Sequence, residues 1–445
     1  MKLRTTAATV WFISQIITTG LTSGQVLTHG PVVGGVTASE AKVFVRTDRA
    51  ANVMLRYGTD PTLEFFTVTP PFSTDAANDF TKIVPLAGLA AESPYYLDIL
   101  VNGVPQLVRP YPSFTTFPPS GNPRNFSFIV LTDFTSVASL RTKVPTYASA
   151  AATNPAFAFI GGDFDHRNPK SINRKRKMFQ DLYDPTTRYM DGFVPLILHK
   201  MPIIHQWDDH DAGLNNLDRT YPDWAVTQQA FNEYIPSYQL PSIAPGIWQK
   251  FSYAQVDGFV LDCRSQRDPE TDPDGPNKSM LDGNALGASG ELQWLEDGLR
   301  TSTARWKIIF TSVVINPTTK YPDGWAGYQT EWNALRDFID MNNIKGVVFI
   351  SGDLHMGAID DGTNAGFPEM SVPQPNGNET GHCATTDYNG TWSEGYYTDS
   401  CIGFGLVTVS QALDELILQV ADQYGVIHIS YTVSGPPGLP GRNGK

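Results

Sequence analysis

Six short, nearly continuous apolar runs dominate the middle of the chain: FSFIVLTD (126–133), FAFIGGD (157–163), MPIIHQWDD (201–209), FVLDC (259–263), WKIIFTS (306–312) and KGVVFISGD (345–353). Such density suits strands covered on both faces. Helical patterns alternate with them: SINRKRKMFQDLYD (171–184), WAVTQQAFNEYI (224–235) and GYQTEWNALRDFIDMNN (327–343). Strand–helix alternation predicts a layered α/β architecture. Three further strands are expected at GFGLVTVS (403–410), ELILQVAD (415–422) and VIHISYTV (426–433).

The 445 residues exceed one ordinary core, so two domains are expected. AKVFVRTD, NVMLRYGT and YYLDILVNG alternate apolar and polar residues between Gly and Pro turns, which predicts a small fibronectin- or immunoglobulin-like β-sandwich over 25–120. The α/β domain follows over 121–434. Residues 1–24 read as a secretory signal: Lys2 and Arg4, an apolar core, then small residues for cleavage. Residues 435–445 follow the collagen Gly-X-Y rule but are too few to hold a triple helix, and read as a flexible tail. The expected location is secreted, or periplasmic in a bacterium, with no integral membrane span. A formal charge of −13 argues against nucleic-acid binding or general attraction to anionic membranes. Export permits a disulfide between Cys383 and Cys401, with Cys263 a buried free thiol. Glycosylation sequons begin at Asn125, Asn277, Asn378 and Asn389.

Four apolar runs end in metal-type ligands. Asp133 closes the first, Asp163 the second (with Asp165 and His166 beyond it), Asp208, Asp209 and His210 the third, and Asp353 and His355 the last. A single acidic strand end is more often a cap or turn residue. Four that converge at the carboxyl edge of one sheet need a countercharge. A metal cluster supplies it, and these oxygen and imidazole ligands suit Fe, Ca, Mn, Zn or Mg. Two ions roughly 3.5–4 Å apart would clamp a phosphate and lower the pKa of water to give an attacking hydroxide. A nearby imidazole can protonate the leaving oxygen.

The motif series TDFTS, GGDFDH, WDDHDAGLNN, LDCRSQR and SGDLHMG resembles the alkaline phosphatase D family of metallophosphoesterases. The resemblance implies a four-layer sandwich, two sheets between helices, behind an all-β domain. It implies metal-dependent hydrolysis of phosphomonoesters or phosphodiesters, with phospholipids among relatives' substrates. It places Asp133, Asp163, Asp209, Asp353 and His355 at metal-ligand positions, Asp163 as the bridge, and His166 where relatives carry a ligand tyrosine. It gives His210 the phosphate or acid role, and it turns Asn216 and Arg264 to the phosphate. Thr135 and Ser312 stand where the wider superfamily carries histidine ligands.

Blander readings apply elsewhere. His205 reads as a core histidine and His199 as a surface residue. Asp208 should point away from its neighbour, because successive strand residues face opposite sides. NRKRK (173–177) reads as a solvated helix face, and Tyr221, Trp224 and Trp325 line a cleft or only pack. The expected function is a secreted phosphoesterase. The alternatives are a phospholipase-type diesterase and a catalytically impaired extracellular module, the latter motivated by Thr135 and Ser312.

Overall fold

The computed structural model describes residues 24–136, 143–187, 190, 192–242, 245–282, 290–377 and 390–435. Two large sheets face each other. In the first, the order is Ile427–Ser434, Glu415–Asp422, Gly403–Ser410, Phe126–Leu131, Ala158–Gly161, Ile203–Gln206, Leu27–Gly34, Glu40–Thr47 and Thr81–Ala87. In the second it is Gln249–Tyr253, Val256–Val260, Trp306–Thr311, Val347–Ser351, Glu369–Ser371, Gly357–Asp360 and Gly395–Tyr397. The expected strands of the α/β region are parallel at the centre of each sheet. Antiparallel strands border them.

Strand geometry sorts their side chains into two cores. Phe128 and Val130 pack between the sheets, whereas Ile129 and Leu131 pack under helices. Likewise Ile308 and Phe310 face the sheet interface, and Ile309 faces the opposite helices. Period-two alternation with both faces apolar is what a doubly covered strand requires. Phe159 and Phe310 stack across the interface with ring centroids 3.9 Å apart. Helices Thr146–Ala152, Ile172–Tyr183 and Trp224–Tyr234, with the turn Phe193–Leu198, cover the first sheet. Helices Glu291–Thr301 and Gln329–Met341 cover the second. The result is the expected four-layer sandwich.

The β-domain is less separate than the sequence suggests. Three of its strands extend the nine-stranded sheet, because Leu27–Gly34 pairs in parallel with Ile203–Gln206 at Gly34 and Ile203. Gly34 permits this approach: a Cβ there would collide with the carbonyls of Ile203 and Pro236. A smaller sheet built on Asn52–Gly58 and Pro94–Val101 closes the sandwich. Its core runs on into the α/β interior through Phe117 and Phe157, 5.6 Å apart.

Cys263 is buried and free, as expected. The signal at 1–23, the tail beyond 435, Cys383, Asn378 and Asn389 lie outside the described residues. Among the described residues, no helix is long and apolar enough to cross a membrane.

Candidate metal centre

The carboxyl ends of strands Phe126–Leu131, Ala158–Gly161, Ile203–Gln206 and Val347–Ser351 converge, and their loops bond to one another. Phe134 N donates to Asp163 O (2.7 Å), Asp353 N to Asp133 Oδ1 (3.0 Å) and His210 N to Asp163 Oδ1 (3.0 Å). Asp133, Asp163, Asn216, Asp353 and His355 all have positive φ, between 48° and 63°. Such residues cost about 1–2 kcal/mol each and persist where surrounding structure holds them, commonly at functional sites. Gly162 (φ +98°) lets Asp163 turn inward, since a Cβ there would meet the backbone of Asp208.

Two ligand groups result: Asp163, His166 and His355, and Asp163, Asp209 and His210, with the donor atoms of each group within 4.8 Å of one another. Asp163 belongs to both. His166 Nε2 lies 3.3 Å from His355 Nε2 and 3.2 Å from Asp163 Oδ2. The far ring nitrogens are anchored. Phe134 O accepts from His166 Nδ1 at 2.8 Å, Asn168 Oδ1 accepts from His210 Nδ1, and the Gln374 carboxamide lies 3.1 Å from His355 Nδ1. Anchoring one nitrogen fixes the tautomer and aims the other.

Charge in this space is only partly compensated, by His166 beside Asp163 (3.2 Å) and Arg264 near Asp209 (3.5 Å). Asp163 Oδ2 and Asp209 Oδ1 are buried without a hydrogen-bond partner, a state native proteins rarely leave unresolved. Burial pushes Asp163 well above the usual carboxylate range, and the charges of Asp209 and Asp208 add to the rise. Burial also lifts Asp133 to about 6, against the Thr132 hydroxyl and the charge of His166. For His166 burial works the other way, yet the charge and contact of Asp163 prevail and raise it to about 10. Cations would relieve all three conflicts, so the residues present fit metal ions.

Beneath this centre the expectations need correction. Arg264, expected at the phosphate, is committed instead to buried carboxylates. It is fully buried and holds Asp208 (Nη2–Oδ2 3.0 Å, with a second contact from Nε) and Asp323 (Nη1–Oδ1 2.6 Å). Its Nη2 also lies 3.5 Å from Asp209 and 3.6 Å from Asp353. The guanidinium fork is thus saturated with carboxylates. Asp353, expected as a ligand, belongs to neither group and instead faces Lys320 Nζ at 3.0 Å. Asp133 also lies outside both groups. Its oxygens accept from Asp353 N and Thr132 Oγ1 (2.6 Å), and Oδ1 stands 3.6 Å from His355 Nε2. Asn216 is half-buried at the rim, its amide N on Asp209 and its side chain on Glu270 (2.9 Å). Ser312 is a donor to Asp208 at 2.7 Å.

The alternation expected of Asp208 and Asp209 does not apply, because the strand ends at Gln206 and Asp208 caps the helical turn Asp209–Ala212; Asp208 bonds Arg264 (3.0 Å), whereas Asp209 stands 3.5 Å from the same Nη2. Trp224 and Trp325 are buried and pack against Trp207 and Trp332, rather than lining a cleft. His205 is a core histidine, but its Nδ1 has no hydrogen-bond partner. Lys175, within the supposed solvated face, is buried and donates to Asp211 O (3.1 Å) and Ala212 O, at the end of the turn that carries Asp209 and His210. Lys320, Asn168 and Gln374 escaped the sequence reading. Asn168 could have been found as the polar residue two places after His166, whereas Lys320 and Gln374 carry no local signal.

A PhoD-like phosphatase family model matches residues 146–382, just over half of the chain. Alkaline phosphatase D of Bacillus subtilis (strain 168) is 28% identical over 188 residues, 35% of this chain. The match spans 31% of that relative's length. The solved structure of PhoD is similar with a TM-score of 0.73 at 17% identity, over 93% of this chain and 91% of that one. Purple acid phosphatase PPD1 from yellow lupin (Lupinus luteus) seeds gives a TM-score of 0.62 at 12% identity, over 91% and 74%. These structural likenesses establish the fold.

Proposed function

The chain belongs to the PhoD-like phosphatase family, and from that premise we propose that it is a secreted, metal-dependent hydrolase of phosphomonoesters or phosphodiesters. The observation that carries the reading is the pair of ligand groups meeting at Asp163, with the unpartnered oxygens of Asp163 and Asp209 between them. Asp163 would be shared by two ions, His166 and His355 would hold one, and Asp209 and His210 the other. Ions there would supply Lewis-acid stabilisation of charge developing on the phosphoryl oxygens and a lowered pKa for the attacking water. Asn168 takes the Nδ1 proton of His210, which leaves Nε2 unprotonated and able to hold that second ion.

The impaired-module reading loses support here. Thr135 is tied to Asn376 (2.8 and 3.2 Å), and the imidazole of His166 completes the first group without it. Ser312 serves Asp208, and the second group does not include it. The pattern of residues 1–24, which reads as a secretory leader, supports secretion.

The test is hydrolysis of a chromogenic phosphomonoester and a phosphodiester, after chelation and after adding back single metals. Turnover that vanishes and returns with one metal is expected, and the ratio of the two rates sets the ester preference. A chelation-insensitive rate, or none with any metal on either ester, would refute the proposal.

A further inference from the structure

Asp133, Asp163, Asp209 and Asp353 crowd one strand edge, and a phosphate dianion approaching them is repelled unless a cation faces it from the open side. Two cationic side chains stand on the Asp353 flank. Arg264 is sealed beneath it at 0% exposure, whereas the Lys320 side chain retains 16%. Lys320 lies past the end of strand Trp306–Thr311, and the next residue, Tyr321, is 77% exposed, so this loop reaches the surface beside Asp353. Its Nζ is 3.0 Å from Asp353 Oδ2, and its charge also acts on Asp133 and His355. Its backbone is left-handed (φ +53°), like that of Asp133, Asp163, Asn216, Asp353 and His355. A β-carbon residue held there costs energy that an ordinary surface ion pair would not repay.

We propose that Lys320 is a phosphate-binding residue of this centre, its ammonium holding a non-bridging oxygen of the substrate phosphate while Asp353 keeps it in place. The inference rests on the hydrolase reading above. An ammonium is a point charge with three donors, so one lysine can hold a carboxylate and face an oxyanion together. The bound phosphate then lies between the ligand groups at Asp163 and the lysine.

The experiment uses the full chain loaded with metal and titrates inorganic phosphate by calorimetry, with metal content measured on the same samples. K320M should weaken phosphate binding by about ten- to a hundredfold, the worth of a charge-assisted hydrogen bond. K320R should stay within a few-fold of the parent, and metal content should not change in either. The double variant K320M/D353N should bind phosphate as poorly as K320M. Unchanged phosphate affinity in K320M, loss of metal with loss of lysine, or recovery in the double variant would each overturn the proposal. Recovery would mean that Lys320 only neutralises Asp353. Because phosphate binding is read without turnover, a parent protein that binds phosphate but hydrolyses no ester would refute the hydrolase reading and leave the lysine to be judged by K320M.

Discussion

Replacing Arg264 by Met decides whether this arginine is a structural countercharge or a substrate ligand. Its Nη1 holds Asp323 at 2.6 Å, and its Nη2 and Nε hold Asp208. Asp323 keeps Arg267 at 2.8 Å after the substitution, so the charge left uncompensated is that of Asp208, with only the Ser312 hydroxyl among its side-chain partners. Removing one partner of a buried ion pair costs about 3–5 kcal/mol, a large part of the ~5–15 kcal/mol that holds most domains folded. R264M should therefore lower the urea midpoint by that equivalent, read by tryptophan fluorescence. R264K should lose less, because it keeps the charge and gives up only the fork. The deficit should also depend on pH. Burial already raises Asp208, while Arg264 pulls it down, so the variant's Asp208 lies further above its unfolded value. Such a group destabilises increasingly as pH rises from the unfolded toward the folded pKa. R264M should thus trail the parent most near pH 8 and least near pH 4. A loss below about 0.5 kcal/mol, the range of ordinary surface substitutions, with inhibition by inorganic phosphate weakened more than tenfold, would return Arg264 to the phosphate.

Asp163→Asn should reduce metal content at both ligand groups and His210→Ala at one, measured by emission spectrometry after chelation and reloading; equal losses would show that Asp163 is not shared. Burial holds His29 and His199 at about 4 and His205 at about 3. Their folded values lie below the unfolded ~6.5, so the stability they permit is complete above that pH and drains away as pH falls toward 4, at about 1.4 kcal/mol per unit each. Urea unfolding between pH 7 and 4.5 should show this, and His205→Leu should flatten the slope; a parallel curve would discount His205. Lys175→Met leaves two buried carbonyls without their donor, costing about 1–3 kcal/mol, and should lower kcat more than it raises KM; unchanged turnover would separate Lys175 from the turn that carries His210.

Much of the architecture was legible because burial writes itself into sequence. Runs such as FIVL and VVFI could be read as doubly covered strands, and the three long amphipathic helices lie where periodicity put them. Helix Glu291–Thr301 was missed because Gly290 gives it no side-chain cap and Gly298 interrupts it. The joining of the β-domain to the large sheet depends on one close approach at Gly34, which nothing local announces. At the centre, residue type revealed the acids but not their partners. Arg264 and Lys320 lie 56 residues or more beyond Asp208 in the chain, and only the fold shows which carboxylates each one holds. Likewise, NRKRK looks uniformly solvated until the helix packs, when Lys175 turns inward and Arg176 pairs half-buried with Glu233, while Asn173, Arg174 and Lys177 stay out.

The cluster WDDHD is intelligible once its carboxylates are assigned to different partners. Asp208 goes to the fixed guanidinium of Arg264. Asp211 accepts Phe164 N (2.8 Å) and Asp208 N (2.9 Å), locking the two ligand loops together. Asp209 alone keeps a buried oxygen with no partner, facing Asp163 and His210. Arg264 below and Lys320 beside Asp353 thus neutralise acids that position the site, while Asp163 and Asp209, which would hold metal, face only His166 and His210 at close range. This division limits what substitution can achieve. Exchanging either acid for its amide changes little in sequence, yet Asp208→Asn would leave Arg264 with Asp323 as its one close carboxylate and cost stability, whereas Asp209→Asn would spare the fold and empty one ligand group.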